Sequence, residues 1–557
     1  MLVLALLAAT AACTGTGPQL VGAQPSWRGG GGSGSSPAAG SGAPAARAVV
    51  FAPEGRAVTR YNEPVVAPPP TALGDAVVSA VRDAAQRSHL AAPVADARLF
   101  RACAELAAVV PEEGVVGYSL VEFALQRNGI IEPSPHLLVV WGDISQPQLI
   151  VEQLRPKLGE ILADGATARV GVGAVKRMPD GTGAVVFALQ GSGVATSPIA
   201  RAVAAGGQFP IDAVVDARFR DPEVFVTHDD GATERLALRS GRANAFASLV
   251  ECGAHGGKQQ VEITASDTAG STVLANFPVW CGGAPPESMT LEPSDDGTVT
   301  TAGDAERRLL ALVNRDRVAA HLQALAWDDR LAAVARAHSE EMRRTKIVAH
   351  ISPTTGSASD RIRAADIRTA VVLENVARAY GVGEAHEGLM NSPGHRANIM
   401  SPSATNLGIG VVLGDDVSGR REMFLTQVFT RVPPRVDLAQ TSDLVRARLG
   451  AARGAVASDA RLTSIAQQLA EALASGVTRE AAWPGVRQQL DHLGGTWARV
   501  GSVVEAVAEL DTLDGKALLG DQQPDDIGVG VAQGRHPEIG ENAIWIVVLM
   551  AERSTKK

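Results

Sequence analysis

The feature that most constrains the fold is a pair of short motifs that occurs three times along the chain. Each copy has an Asp-x-Arg-Leu tetrapeptide followed, about 70 residues later, by a Gly-x-Gly tripeptide. The tetrapeptides begin at Asp96, Asp328 and Asp459, and the tripeptides begin at Gly171, Gly408 and Gly528. An aspartate directly before apolar residues at helical spacing can cap the first turn of a helix. Each Gly-x-Gly run leads into a second apolar run, which indicates a terminal hairpin. The sequence therefore predicts three copies of one α/β unit, unless two common motifs coincide by chance.

The segment 208–288, between the first two of these units, has a different pattern. Its apolar residues alternate with polar ones in short runs that are separated by turn residues, which is typical of a small all-β sandwich, with an immunoglobulin-like topology among the alternatives. Cys252 and Cys281 both fall in these predicted strands and could form a disulfide in an oxidising compartment. Cys103 instead follows Leu99 at helical spacing, so we expect it to be a buried apolar residue.

The N-terminal part of the chain predicts export. Residues 1–13 form an apolar leader that is too short to span a bilayer but suits a secretion signal. The run Ala11-Ala12-Cys13 resembles a lipoprotein processing site, which would acylate Cys13; an ordinary signal peptide cut nearby is the alternative. Residues 14–72 are rich in Gly, Ser and Pro and predict a disordered tether between an anchor and the folded chain.

The charge balance excludes one class of partner. The chain has 51 Lys and Arg against 60 Asp and Glu, a formal net charge of −9, with no long basic run. This composition argues against nucleic acid, and against an anionic membrane surface, as the main partner. We therefore expect contact with a membrane only through the N-terminal lipid anchor.

Polar groups that can share a proton or a cation are concentrated between residues 350 and 398. His350 and Glu374 precede the run Asn391–Ile399, in which His395 stands on a Pro-Gly turn. Two imidazoles and a carboxylate suit Zn²⁺ with an open water position, or a general base. The spacing differs from an H-E-x-x-H metalloprotease helix, and Ser392 is expected to cap a helix rather than act as a nucleophile.

This region resembles the CAP superfamily (cysteine-rich secretory, antigen 5 and pathogenesis-related proteins) in its bacterial, cysteine-poor form. The residues that carry the resemblance are Val313-Asn314, Leu325, Trp327, His350, Arg361, Glu374-Asn375, Ser392–Asn398, Gly408-Ile409-Gly410 and Gln427-Val428-Phe429. The resemblance covers about residues 300–432 and implies an α-β-α sandwich. The other two α/β units, at 73–200 and 436–553, would then be degenerate copies that lack the cleft residues.

The resemblance also implies a set of cleft residues. His350, Glu374 and His395 would line a central cleft, which in some family members binds a divalent cation such as zinc. The supporting residues would be Asn375, Ser392, Arg396, Asn398 and Gln427. The eukaryotic pattern places another histidine where this chain has Phe424, so the expected cleft has three residues instead of four.

Three functions remain open. The favoured one is an exported, non-enzymatic protein of the cell envelope that binds a small apolar or lipid-like ligand, a cation or a cell-wall component. The first alternative is a metal-assisted hydrolase or peptidase that uses His350, Glu374 and His395. The second is a structural envelope protein whose cleft is vestigial.

Overall fold

The structure is a computed structural model that describes residues 20–23, 49–110, 116–133, 135–162, 167–241, 244–291, 299–417, 420–454, 456–520 and 522–554. The chain forms two compact units. One contains residues up to 358 together with 373–401 and 408–428, and the other contains 359–372, 402–407 and the residues from 429 onward. The predicted leader and Cys13 lie outside the described residues.

The first α/β segment consists of four helices around a mixed sheet. Its elements are β1 (Leu20–Ala23), β2 (Val49–Phe51), β3 (Arg60–Tyr61), α1 (Ala72–Arg87), β4 (Val94–Ala95), α2 (Ala97–Ala107), α3 (Tyr118–Arg127), β5 (His136–Asp143), α4 (Pro147–Leu162), β6 (Thr167–Lys176) and β7 (Thr182–Gly191). The sheet order is β1-β5-β7-β6-β4. The Asp96 side chain accepts hydrogen bonds from the backbone N–H groups of Arg98 and Leu99 and so caps α2, as predicted. Cys103 is buried on this helix, also as predicted.

The next segment is all β. Its strands are β8 (Val194–Thr196), β9 (Ile199–Ala200), β10 (Ala202–Val203), β11 (Gln208–Val215), β12 (Arg220–Thr227), β13 (Thr233–Arg235), β14 (Arg239–Ser240), β15 (Ala245–Glu251), β16 (Gly257–Asp267), β17 (Gly270–Cys281) and β18 (Met289–Leu291). One sheet has the order β10-β17-β16-β12-β13 and the other β14-β15-β11-β8. Residues of both sheets, including Ile211, Val224 and Phe277, share one apolar core. We call this segment the β-sandwich; its immunoglobulin-like topology stays a prediction.

The predicted disulfide of the β-sandwich is confirmed: Cys252 and Cys281 are bonded, with their Cα atoms 5.5 Å apart. The boundary predicted at residue 208 is too late, because β8 already pairs with β11. A strand as short as Val194–Thr196 has no periodicity that could have revealed it.

The CAP segment has helices on a four-stranded sheet, the α-β-α sandwich that the resemblance implied. Its elements are α5 (Ala302–Ala319), β19 (Ala326–Trp327), α6 (Asp329–Thr345), α7 (Ala358–Ala364), β20 (Val372–Ala379), α8 (Val382–Asn391), α9 (Pro393–Ile399), β21 (Asn406–Val417) and β22 (Arg420–Thr430). The sheet order is β19-β21-β22-β20. Asp328 caps α6 through the N–H groups of Arg330 and Leu331.

The C-terminal segment has the same order of strands as the CAP segment. Its elements are α10 (Leu438–Arg453), β23 (Ala457–Ser458), α11 (Ala460–Ala474), α12 (Arg479–His492), β24 (Trp497–Val507), a 3-10 turn (Leu510–Thr512), α13 (Gly515–Leu519), β25 (Asp526–His536) and β26 (Gly540–Arg553). Its sheet runs β23-β25-β26-β24, and four strands of the first α/β segment run β4-β6-β7-β5, which is again the same order. A common ancestry of the three segments stays a prediction.

The repeated sequence motifs have a physical explanation in the packing of helix on strand. A methyl group built on Gly410 would overlap the backbone nitrogen of Arg336 in α6. A methyl group on Gly173 would likewise overlap the backbone nitrogen of Ala104 in α2, and one on Gly530 would overlap the backbone carbonyl carbon of Ala466 in α11. In each segment the capped helix therefore packs with its backbone directly on the Gly-x-Gly strand, a close approach that only glycine permits.

The predicted tether is wrong for residues 49–72. Phe51 and Tyr61 are buried, and the Tyr61 hydroxyl donates a hydrogen bond to the carbonyl oxygen of Pro278, with the two oxygens 2.6 Å apart. Strand β2 pairs with β18, and β3 with β9. The partner strands lie far away in the sequence, so the local Pro-rich composition concealed this order. Most of the predicted tether lies outside the described residues.

No helix in the described ranges combines the length and the apolar character that crossing a bilayer requires.

Candidate functional site

The structure brings two of the three predicted cleft residues into direct contact. His350 lies in the loop after α6, and Glu374 lies on β20. The Nδ1 atom of His350 is 2.7 Å from Oε1 of Glu374, a hydrogen bond between buried side chains. His395 lies on α9, near enough for electrostatic interaction with His350. The exposed fractions of His350, Glu374 and His395 are 6%, 1% and 5%, so all three are almost completely covered.

A network of amide side chains holds this region together. Asn375 Nδ2 donates to Oε1 of Gln427 at 3.0 Å and to the carbonyl oxygen of His395 at 3.2 Å. Asn398 Nδ2 donates to Oδ1 of Asn375 at 2.9 Å and to the carbonyl oxygen of Glu374 at 3.1 Å. The network joins β20, β22 and α9, so these amides position backbone around the cleft.

Ser392 does not make the capping bond that we predicted. Its hydroxyl donates to the carboxylate of Glu262 in the β-sandwich, and the N–H of Gly394 donates to the same carboxylate at 2.8 Å. The cap prediction for this hydroxyl is therefore wrong, because the hydroxyl is bonded to the β-sandwich instead of the first turn of α9. The Nε of Arg396 donates to the carbonyl oxygen of Gly231, also in the β-sandwich, at 3.2 Å.

Glu262 is a functional candidate that the sequence interpretation missed. It belongs to the alternating run of β16, yet its side chain is fully buried. The sequence did contain a signal for it, since an acidic residue stands between apolar neighbours on a predicted strand. A carboxylate that is buried there requires hydrogen-bonding partners.

Burial determines the charge state of His395. It lowers the pKa of this imidazole to about 3, with a second, smaller contribution from repulsion by His350. No described residue forms a hydrogen bond with Nε2 of His395. The side chain is therefore neutral near pH 7 and can accept a proton only at a considerable cost in free energy.

This shift predicts a pH dependence of stability. Below pH 6.5 the unfolded chain binds a proton at His395 that the folded chain binds only near pH 3. The free energy of unfolding should therefore fall as the pH drops, by about 2 kcal/mol between pH 7 and pH 5. In urea unfolding with EDTA present, His395→Gln should remove this loss, whereas His89→Gln, at an exposed position, should retain it. An unchanged pH profile in His395→Gln would contradict the assignment.

The residues do not fit a metal centre in their present arrangement. Within the described ranges, no group of three or more His, Cys, Asp or Glu side chains could hold a metal ion. Oε1 of Glu374 is also engaged with His350. The zinc set His350, Glu374 and His395 therefore stays a prediction from the sequence.

A second candidate site lies in the first α/β segment. A cavity of about 800 Å³ opens between α1, α2, β6 and the loop that precedes α1. Its apolar lining includes Leu73, Val78, Phe100, Ala104 and Val172. Cavities of roughly 300–1,000 Å³ with mainly apolar walls are typical binding sites for small molecules.

The polar residues at this cavity indicate what kind of molecule would fit. Arg82 and Arg101 line the cavity, together with Asp75 and Ser79. An arginine fork pairs well with a carboxylate or a phosphate. The combination of apolar walls and two guanidinium groups therefore favours an amphiphile with an anionic head.

Comparison with known proteins identifies the central segment. Residues 310–429 match the model of the CAP family, described as the cysteine-rich secretory protein family. An uncharacterized membrane protein of Bacillus subtilis, YlbC, is 38% identical over 108 residues, which are 19% of this chain and 31% of that protein. YkwD, an uncharacterized protein of the same organism, is 35% identical over 108 residues, which are 42% of its length. The matched residues thus span less than half of the length of either relative.

Solved structures with similar segments have low overall similarity to this chain. An extracellular protein containing an SCP domain from Bacillus anthracis is 20% identical, with a TM-score of 0.22. The match covers 40% of this chain and 82% of that protein. An outer surface protein from Borrelia burgdorferi is 17% identical, with a TM-score of 0.22. The match covers 24% of this chain and 97% of that protein. The family match and the α-β-α sandwich agree on the same residues, so the segment 310–429 of this chain is a CAP domain.

Proposed function

We propose that this protein is an exported binding protein of the cell envelope, and that its ligand is a lipid-like amphiphile with an anionic head. The observation that carries the proposal is the apolar cavity of about 800 Å³ in the first α/β segment. Its walls would take an acyl chain, and Arg82 and Arg101 would pair with a carboxylate or phosphate head. The CAP cleft serves this role less well, because its central residues are almost completely covered.

Export is supported by two features of the chain. The disulfide between Cys252 and Cys281 is of a kind that persists in oxidising compartments outside the cytosol. The apolar leader at residues 1–13 is suited to secretion. Acylation of Cys13 would add a membrane anchor, although a single chain holds a protein to a membrane only weakly.

Titration of the purified full chain with palmitate, a saturated fatty acid, tests the proposal. We expect one molecule to bind per chain by isothermal titration calorimetry. Ala104 lines the cavity with an exposed side chain, so Ala104→Trp should fill the cavity without disturbing the core. We expect this variant to bind at least about tenfold more weakly, a loss of about 1.4 kcal/mol.

Ala108→Trp is the matched control, since Ala108 is exposed one turn further along and does not line the cavity. It should bind like the wild type, as should a His350→Ala, His395→Ala variant. Equal affinities for Ala104→Trp and the wild type would refute the cavity as the binding site.

The hydrogen bond between His350 and Glu374 favours a second candidate function, a hydrolase in which the carboxylate orients the imidazole as a general base. Against it stand the coverage of the cleft and the engagement of the Ser392 hydroxyl by Glu262. Stoichiometric zinc together with peptide cleavage that Glu374→Gln abolishes would establish the hydrolase instead.

A further inference from the structure

The CAP cleft is covered by the β-sandwich on the side of His350. The carbonyl oxygen of Ala269, in the turn between β16 and β17, accepts hydrogen bonds from the backbone N–H groups of His350 and Ile351, at 3.1 and 3.0 Å. Gly270 follows with a φ of +110°, and a methyl group on it would lie 3.0 Å from Cβ of His350. The turn therefore lies directly against the histidine, with a glycine where a side chain would not fit.

A second set of contacts joins the β-sandwich to the start of α9, which carries His395. The carboxylate of Glu262, on β16, accepts hydrogen bonds from the Ser392 hydroxyl and the Gly394 N–H. These donors stand immediately before His395. Charge-assisted hydrogen bonds of this kind are about twice as strong as neutral ones, and a buried carboxylate that lost them would be strongly unfavourable.

Two weaker contacts extend the same interface. Nδ2 of Asn276, on β17, donates to the carbonyl oxygen of Asn391 at 3.1 Å. Nε of Arg396 donates to the carbonyl oxygen of Gly231, in the turn before β13, at 3.2 Å. Hydrogen bonds from the β-sandwich therefore reach the CAP segment at His350 and along Asn391–Arg396, the two stretches that supply the cleft histidines.

We propose that the β-sandwich closes the CAP cleft by packing on it. The hydrogen bonds to the Glu262 carboxylate contribute most to holding the two segments together. A ligand from outside reaches His350, Glu374 and His395 only after the β-sandwich has separated from this surface. The Ser-Pro-Gly-His-Arg segment then serves to bind a neighbouring domain of the same chain. This inference is independent of ligand binding in the cavity of the first α/β segment.

Exchange of the imidazole C2 hydrogens with deuterated solvent, followed by mass spectrometry on the full chain, measures access to the cleft histidines. In the wild type we expect His350 and His395 to exchange slowly. Glu262→Ala should speed up both by at least about tenfold, since it removes the acceptor of two hydrogen bonds. Glu262→Gln, which retains an acceptor oxygen, should have a smaller effect. Glu251→Ala changes an exposed carboxylate of the same β-sandwich and should leave both rates unchanged.

Exchange rates in Glu262→Ala equal to those of the wild type, with the circular dichroism spectrum preserved, would overturn the proposal. If Glu262→Ala does not fold, the double variant Asn276→Ala, Arg396→Ala removes the two weaker contacts without placing a new group in the core. It should raise the exchange of both histidines by about threefold. No increase in that variant would equally refute closure by the β-sandwich.

Discussion

Gly410→Ala is expected to lower the free energy of unfolding of the CAP domain by about 3 kcal/mol, because overpacking against immovable backbone is costly. The added methyl group would overlap the backbone nitrogen of Arg336 in α6. A flexible side chain could rotate away, but a helix backbone can yield only if the whole helix shifts. That shift would disturb the packing of Leu331 and Ala335, which are fully buried on the same helix. Urea unfolding monitored by circular dichroism measures the loss.

Gly388→Ala is the matched control within the same domain. Gly388 lies in α8, and the atoms nearest to an added methyl group are 4.0 Å away, on the ring of Tyr118. Alanine has the higher helix propensity, so this variant should be neutral or more stable by up to about 1 kcal/mol. Equal stabilities for Gly410→Ala and Gly388→Ala would contradict direct backbone contact between α6 and β21.

Removal of the disulfide in the double variant Cys252→Ser, Cys281→Ser is expected to cost about 3–4 kcal/mol. The two cysteines are separated by 29 residues, and cross-linking a loop of that length restricts the unfolded chain considerably. Both residues are also buried in the β-sandwich core, so the hydroxyl groups of serine would be poorly accommodated.

A reducing agent supplies the control for this prediction. It should destabilise the wild-type β-sandwich by a similar amount and should leave the double variant unchanged. If neither reduction nor the double substitution shifts the urea midpoint, the disulfide contributes no stability and the prediction fails.

Much of the fold could be predicted from the sequence because its signals are local. The Asp caps and the Gly-x-Gly strands are short patterns with a direct physical cause, and they correctly predict a capped helix and a terminal hairpin in each α/β segment. Cys252 and Cys281 were recognisable from their place in alternating strands. Phe424, at the position where the eukaryotic pattern has another histidine, is fully buried beside Met342 and Val376.

The errors concern contacts between segments far apart in sequence. Tyr61 belongs to a Pro-rich stretch, and only its hydrogen bond to Pro278 reveals that the stretch is ordered. His386 lies on α8, where it is buried, and its Nε2 is 2.7 Å from Oδ2 of Asp316 in α5. Glu262 likewise acquires its role from Ser392. No periodicity within one segment encodes such pairings.

Photo-crosslinking with a diazirine-bearing fatty acid, followed by peptide mapping, tests most directly where this protein binds its ligand. If the ligand occupies the cavity of the first α/β segment while the β-sandwich covers the CAP cleft, the adducts will lie on peptides from α1 and α2. Adducts confined to the peptides that contain His350 or His395 would contradict both parts of that account.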